Sequence, residues 1–308
     1  MSDASPRHSR WFFLLLLVST ASAQDGGLPG SVFRSFTSTA EAGRAGTGAL
    51  VESGPFAGLS NPAALGNLQE FQLGADLAFR GFGRSARTLA AARSLTPKLA
   101  LGFAWFSAGN GNDLEARIGP SPRPDDIFSD SQNLFDVAAA FRPARAVHTG
   151  LGVKLYQQRV DRSSGLGIGF DLGGVWDAGP WTRLGLSLRD LGGGLSLPGL
   201  PRDKFPMRWG LGARQLLLKQ RLASFLDLGL VPRQEVRWGL GAEFQARPSA
   251  SLRAGYGEGR LGLGAAARIR HRSGFIRLDY ALSSSPISFW ALSHRICVSI
   301  QWIPRKKP

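Results

Sequence analysis

The sequence predicts an all-β fold, a closed antiparallel transmembrane β-barrel of about fourteen strands with an N-terminal plug segment. Three observations carry this. From Val236 to Arg270 the chain reads VRWGLGAEFQARPSASLRAGYGEGRLGLGAAARIR, where apolar residues alternate with Gly and charged residues over three successive segments. The connections between such segments sort by length, short at one end and long at the other, as in outer-membrane barrels. No apolar run reaches the roughly 20 residues that a membrane helix needs, so any passage through a bilayer is made by strands. A soluble antiparallel sandwich also alternates, but it has no reason to sort its loops.

Residues 1–23 begin with basic Arg7 and Arg10, continue through an apolar core from Trp11 to Val18 and end in Ala21-Ser22-Ala23, the layout of a cleaved secretory signal peptide. No cysteine follows that point closely, so no lipid anchor is expected. The only cysteine, Cys297, leaves no internal disulfide, and without a Cys/His partnership it reads as a small core residue. A formal net charge of +15 raises the question of nucleic acid. The arginines are spread through strands and turns rather than clustered on a helix, and an exported chain seldom meets DNA. Anionic lipid headgroups or an anionic lumen ligand are the expected partners.

Residues 24–67 are rich in Gly, Ala and Ser and lack a sustained period of two. Gly43, Gly46 and Gly48 do not have phosphate-loop spacing. A compact segment of small residues, inside a barrel or across its mouth, is expected. Residues 68–308 are then the barrel.

The expected strands run from Gln69 to Phe79, Ser85 to Leu95 (weakly patterned), Lys98 to Ser107, Gln132 to Arg142, His148 to Arg159, Gly165 to Asp177, Thr182 to Asp190, Phe205 to Leu216 and Leu222 to Val231. The three segments of the opening stretch follow, then Gly274 to Ser283 and Leu292 to Trp302. Short connections such as Thr96-Pro97 and Arg247-Pro248 fall at one end, and Ala108 to Ser131, Leu191 to Lys204 and Ser284 to Ala291 at the other. Aromatics sort as well, with Phe79, Trp105, Trp209, Trp238 and Tyr256 toward the long-loop rim and Phe71, Phe141, Trp176, Phe244 and Trp302 toward the short-turn rim.

Arg208, Arg237, Arg253, Arg260, Arg268, Arg277 and Arg295 all share the phase opposite to the apolar residues. An Arg at the bilayer midplane costs roughly 2 to 4 kcal/mol, so these side chains are expected to face the lumen as a basic wall. Asp171, Asp227, Glu243 and Asp279 share that phase. Two roles stay open for the wall: salt-bridge networks that hold the plug, and an anion site.

The segments AGRAGTGALVESGPFAGLSNPAAL, GLGVKLYQQRVDRSSGLGIGFDLGGVW, GLGAEFQARPSASLRAGYG and IRLDYAL resemble the PorV/PorQ family of outer-membrane proteins, themselves similar to FadL-type fourteen-stranded barrels. The resemblance covers nearly the whole mature chain. It implies that Asn61, Pro62 and Ala63 form the NPA motif of an N-terminal plug spanning residues 24–67. Family members include a type IX secretion component that receives cargo at the outer membrane, and channels for hydrophobic molecules. The strongly basic balance and shorter outer loops depart from that pattern.

No enzymatic role is expected. Beyond the signal peptide only His148, His271 and His294 remain, without a converging acid and nucleophile, and no His/Cys/Asp cluster has metal-ligand spacing, so no cofactor is expected either. The inward phase is mostly Gly, Ala, Ser and Arg, which disfavours a greasy conduit. Leu197 and Leu200 in one long loop, and Phe289 and Trp290 in another, are candidate anchors for a secreted or envelope protein. The sequence therefore points to an outer-membrane binding or structural component of a secretion or cell-envelope system. The alternative is a FadL-like channel for hydrophobic or anionic small molecules.

Overall fold

The computed structural model describes residues 30–68, 70–80, 84–117, 119–120, 122–232, 236–284 and 292–302. The expected signal peptide, residues 1–23, lies outside the described residues, and so do Phe289 and Trp290.

Fourteen antiparallel staves follow one another: β1 (Phe71–Phe79), β2 (Ser85–Thr96), β3 (Leu99–Ala116), β4 (Asp126–Ala144), β5 (Val147–Val160), β6 (Ser163–Asp177), β7 (Thr182–Ser196), β8 (Arg208–Leu217), β9 (Leu222–Leu230), β10 (Arg237–Arg247), β11 (Ala250–Gly257), β12 (Arg260–His271), β13 (Gly274–Ser283) and β14 (Ser293–Trp302). Each pairs with the next, and β14 pairs back onto β1 from Phe71↔Trp302 to Phe79↔His294, which closes the barrel and leaves no free edge. A two-residue ladder, Asp203–Lys204, extends the sheet beside the end of β7.

Alternation sets the two faces. In β5, Leu151, Val153 and Leu155 point outward while Gly152, Lys154 and Tyr156 point inward. Exposed Leu, Val and Phe recur in this way from stave to stave, an apolar surface far larger than the few hundred Å² that soluble monomers tolerate. Lipid is the solvent that suits it. At one rim Trp238 meets Tyr256 with ring centroids 5.9 Å apart, and at the other Phe71 stacks on Trp302 at 5.2 Å. The weak pattern of β2 has a cause: Arg87 and Arg93 face outward, but they lie near opposite ends of the stave, where a long side chain reaches the headgroups.

Two expected loops are largely strand. β3 and β4 stay paired beyond Gly109↔Ser131 as far as Ala116↔Asp126, so the connection is residues 117–125 and not Ala108 to Ser131. Gly, Asn and Asp in this stretch read as loop, yet backbone pairing above the membrane needs no apolar face. Likewise β7 continues past Asp190 to Ser196 through a bulge, with Asp190 in the left-handed region at φ 61°.

Residues 30–68 contain only short elements, the 3₁₀ turns Phe33–Ser35, Ala57–Leu59 and Pro62–Asn67 and the helix Thr39–Ala42. Ser38 and Glu41 cap that helix reciprocally. The segment lies against inward-facing residues of the sheet, and this explains the glycines of the inner face. A β carbon at Gly150, Gly185, Gly255 or Gly262 would collide with the backbone of Ala63, Leu50, Arg44 or Ala42 respectively. The Gly face is therefore a bearing surface for another piece of chain, and not simply the wall of a wet lumen.

Candidate functional site

Nearly every polar contact between residues 37–61 and the sheet uses a charged or amide side chain. Thr39 donates from its backbone N and its Oγ1 to Asp76 Oδ2, each at 2.7 Å. Arg44 Nη1 donates to Glu243 Oε2 at 2.7 Å, and Gly48 N donates to Asp227 Oδ2 at 3.1 Å. Arg214 holds Glu52 at 3.1 Å, and Arg295 donates to the Thr37 carbonyl. Asn61 is fully buried; its Nδ2 donates to the carbonyls of Leu50 (2.7 Å) and Gly174 (3.2 Å), and its Oδ1 accepts from Ala63 N (3.1 Å). The Asn-Pro-Ala triplet thus ties two stretches of the segment to each other and to β6.

The interior toward the long-loop rim divides in two. On one side an aromatic cluster brings Phe33, Phe56, Phe106, Tyr156 and Phe205 together with Leu134 and Leu195. Sequence reasoning missed it, because the inward positions Phe106, Leu134 and Tyr156 are greasier than the small-and-basic pattern of their neighbours. Beneath it runs a buried polar chain: Lys154 Nζ lies 2.5 Å from Asp171 Oδ2, Asp190 N donates to Asp171 Oδ1 at 2.9 Å, and both Tyr156 Oη (2.8 Å) and Arg208 Nε (2.9 Å) donate to Asp190. Asp190 reaches this position through the β7 bulge.

On the other side is a cavity of about 510 Å³ between residues 31–50 and the ends of the staves from β7 round to β1 and β2. Arg34, Arg80, Arg84, Arg189, Arg208, Arg237, Arg260 and Arg295 line it, against the carboxylates of Glu41, Asp227 and Glu258. Eight guanidinium groups share one chamber with three acids. Arg80, just beyond the end of β1, registers the crowding: burial, and then the charges of Arg295, Arg84 and Arg260, push its guanidinium down to about 9. Burial likewise raises the Glu41 carboxyl above its ordinary range.

The expected continuous basic wall is therefore split. Arg253 is held between Glu243 (2.9 Å) and Asp279 (2.7 Å), and Arg277 lies 3.1 Å from Asp279, so these two are neutralised below the chamber. Arg268 stacks on the Phe275 ring, 3.6 Å from its centroid. Arg208, Arg237, Arg260 and Arg295 line the chamber. Arg237 grips Glu258, whose carboxylate is 4.0 Å from Arg260.

Of the loop residues, Leu197 turns inward and packs on the aromatic cluster, as does the buried Leu195, while Leu200 stays 63% exposed. Their spacing in a Pro/Gly-rich loop carries no period from which this difference could be read. His148, at the start of an expected strand, is the second residue of β5 and is fully buried, 3.5 Å from Asp177. Among the described residues no group of His, Cys, Asp and Glu is placed to hold a metal ion.

No protein-family model matches the chain, and no curated protein matches it in sequence. Its fold is similar to that of a Pseudomonas aeruginosa FadL homologue, at 14% identity over 86% of this chain and 98% of that one, with a TM-score of 0.62. It is also similar to the Pseudomonas putida toluene transporter TodX, at 13% identity over 88% of this chain and 99% of that one, with a TM-score of 0.62. The chain has the closed fourteen-stranded fold of FadL-like outer-membrane barrels.

Proposed function

We propose that this chain is an outer-membrane channel protein that admits a small molecule at its long-loop mouth, and that residues 24–67 are a plug beneath the entry site. The observation that carries the reading is the 510 Å³ chamber, walled by stave ends and floored by the Glu41 to Leu50 stretch. Its size lies in the roughly 300 to 1,000 Å³ range of small-molecule sites. The fold it shares with a protein described as a toluene transporter supports the same class. In this account the charged contacts of Asp76, Glu243, Asp227 and Arg214 hold the plug in register, and the glycine face lets it seat closely.

Proteoliposomes carrying the mature chain are the test. Solutes of a few hundred daltons should equilibrate across them faster than across protein-free vesicles, and equal rates would end the channel reading.

A second reading, a PorV/PorQ-type component that binds a secreted or envelope protein, draws on the hairpin of β3 and β4 that projects past its neighbours and on exposed Ile127 and Leu200. Photocrosslinking from position 200 in intact cells tests it. A reproducible adduct with one envelope protein favours this reading, and lipid adducts alone remove it.

A further inference from the structure

The chamber's composition says more than that a small molecule enters. Arg189 and Arg208 stand directly opposite each other in the β7–β8 ladder, an arrangement that destabilises a sheet unless something neutralises it. Asp190 serves Arg208. The Nε of Arg189 has no hydrogen-bond partner among the described residues, and neither has the Nε of Arg260, whose nearest carboxylate already grips Arg237. Arg295 spends its contacts on the Thr37 carbonyl and, at 3.9 Å, on Asp76. Each guanidinium offers a planar fork suited to two oxygens of an oxyanion. An amphipathic monocarboxylate would answer one such fork and leave the other Nε donor unmet.

We propose that the chamber binds a water-soluble polyanion, a small solute with at least two phosphate or carboxylate groups, at guanidinium groups of its lining, Arg189 and Arg260 among them. This rests on the small-molecule reading above and names its substrate class. A concave site lined by one sign of charge also concentrates such a solute at the mouth, so capture weakens as ionic strength rises.

Tripolyphosphate, citrate and toluene are the probes, titrated into the detergent-solubilised mature protein. Tripolyphosphate should bind, citrate more weakly, and the double variant Arg189→Gln/Arg260→Gln should weaken tripolyphosphate at least tenfold while leaving toluene unaffected. In case that variant does not fold, the unmodified chain gives an independent readout: tripolyphosphate should slow phenylglyoxal modification of Arg189 and Arg260, read by mass spectrometry. Toluene binding without tripolyphosphate binding overturns the polyanion and leaves the small-molecule reading intact. Binding of no probe defeats both. Tripolyphosphate binding that neither the double variant weakens nor the arginine protection reflects overturns the chamber as the site.

Discussion

Replacing Asn61 with Ala removes one buried side chain and three hydrogen bonds at once. Left behind are the Leu50 carbonyl, the Gly174 carbonyl and the Ala63 N–H, in surroundings where the Asn61 side chain itself has no solvent exposure. An unsatisfied buried polar group costs roughly 1 to 3 kcal/mol. With Gly174 half-buried and so at the low end, the total is about 3 to 6 kcal/mol, or roughly two to four powers of ten in the equilibrium that docks the segment. Hydrogen exchange read by mass spectrometry on the detergent-solubilised protein is the assay. Peptides covering residues 42–68 should lose protection by that factor while the strand peptides keep theirs. Asn61→Asp sharpens the test, because it retains the oxygen that receives Ala63 N but places a carboxylate against the two carbonyls. It should undock the segment at least as strongly as Ala. Wild-type protection of residues 42–68 in either variant would refute the role given to Asn61.

Gly255→Val should expel the Arg44 stretch from the inner face, since the added β carbon already overlaps that backbone; faster proteolysis after Arg44 in the variant checks it, and unaltered cleavage would show that the glycine face is not a bearing surface. Lys154→Met should cost about 3 to 5 kcal/mol in denaturant unfolding, because the buried Asp171 carboxylate loses its cation and keeps only the Asp190 N–H. Glu41 is an acid whose pKa burial raises, so its contribution is most favourable when it is protonated, and stability should decline as pH rises from the ordinary carboxylate value up through its raised one. Glu41→Gln, which keeps an oxygen for Ser38 N, should flatten that decline in thermal unfolding followed from the ordinary carboxylate range upward. Val137→Arg puts a guanidinium on the outer face between Phe103 and Val153 and should cost about 2 to 4 kcal/mol of folding free energy in lipid vesicles, whereas a nearly neutral effect would argue against a bilayer there.

The staves and their facing were legible in the sequence because alternation records which side meets lipid: Leu151, Val153 and Leu155 against Lys154 is a pattern no loop needs. The projecting hairpin was not, since residues 109–116 and 126–131, GNGNDLEA and DIFSDS, carry no alternating apolar stripe. Gly185 and Gly262 could be assigned to the inner face but not to a purpose, because the chain that presses on them comes from residues 42–50, far away in sequence and without a period of its own. The chamber was half visible. Arg208, Arg237, Arg260 and Arg295 follow from strand phase, but Arg34, Arg80 and Arg84 lie outside the staves, and the partner Asp190 depends on a bulge that only its position before Gly192 to Gly194 hints at.

Labelling from outside the cell tests the central claim most directly, using single cysteines at Leu200 in a long loop and at Gly179 in a short turn. The native Cys297 is buried and should stay silent. A membrane-impermeant maleimide applied to intact cells should modify position 200 and leave position 179 untouched until the outer membrane is opened. Equal labelling of both positions in intact cells, or recovery of the chain in the aqueous fraction without detergent, would contradict a barrel that spans the outer membrane with its chamber facing out.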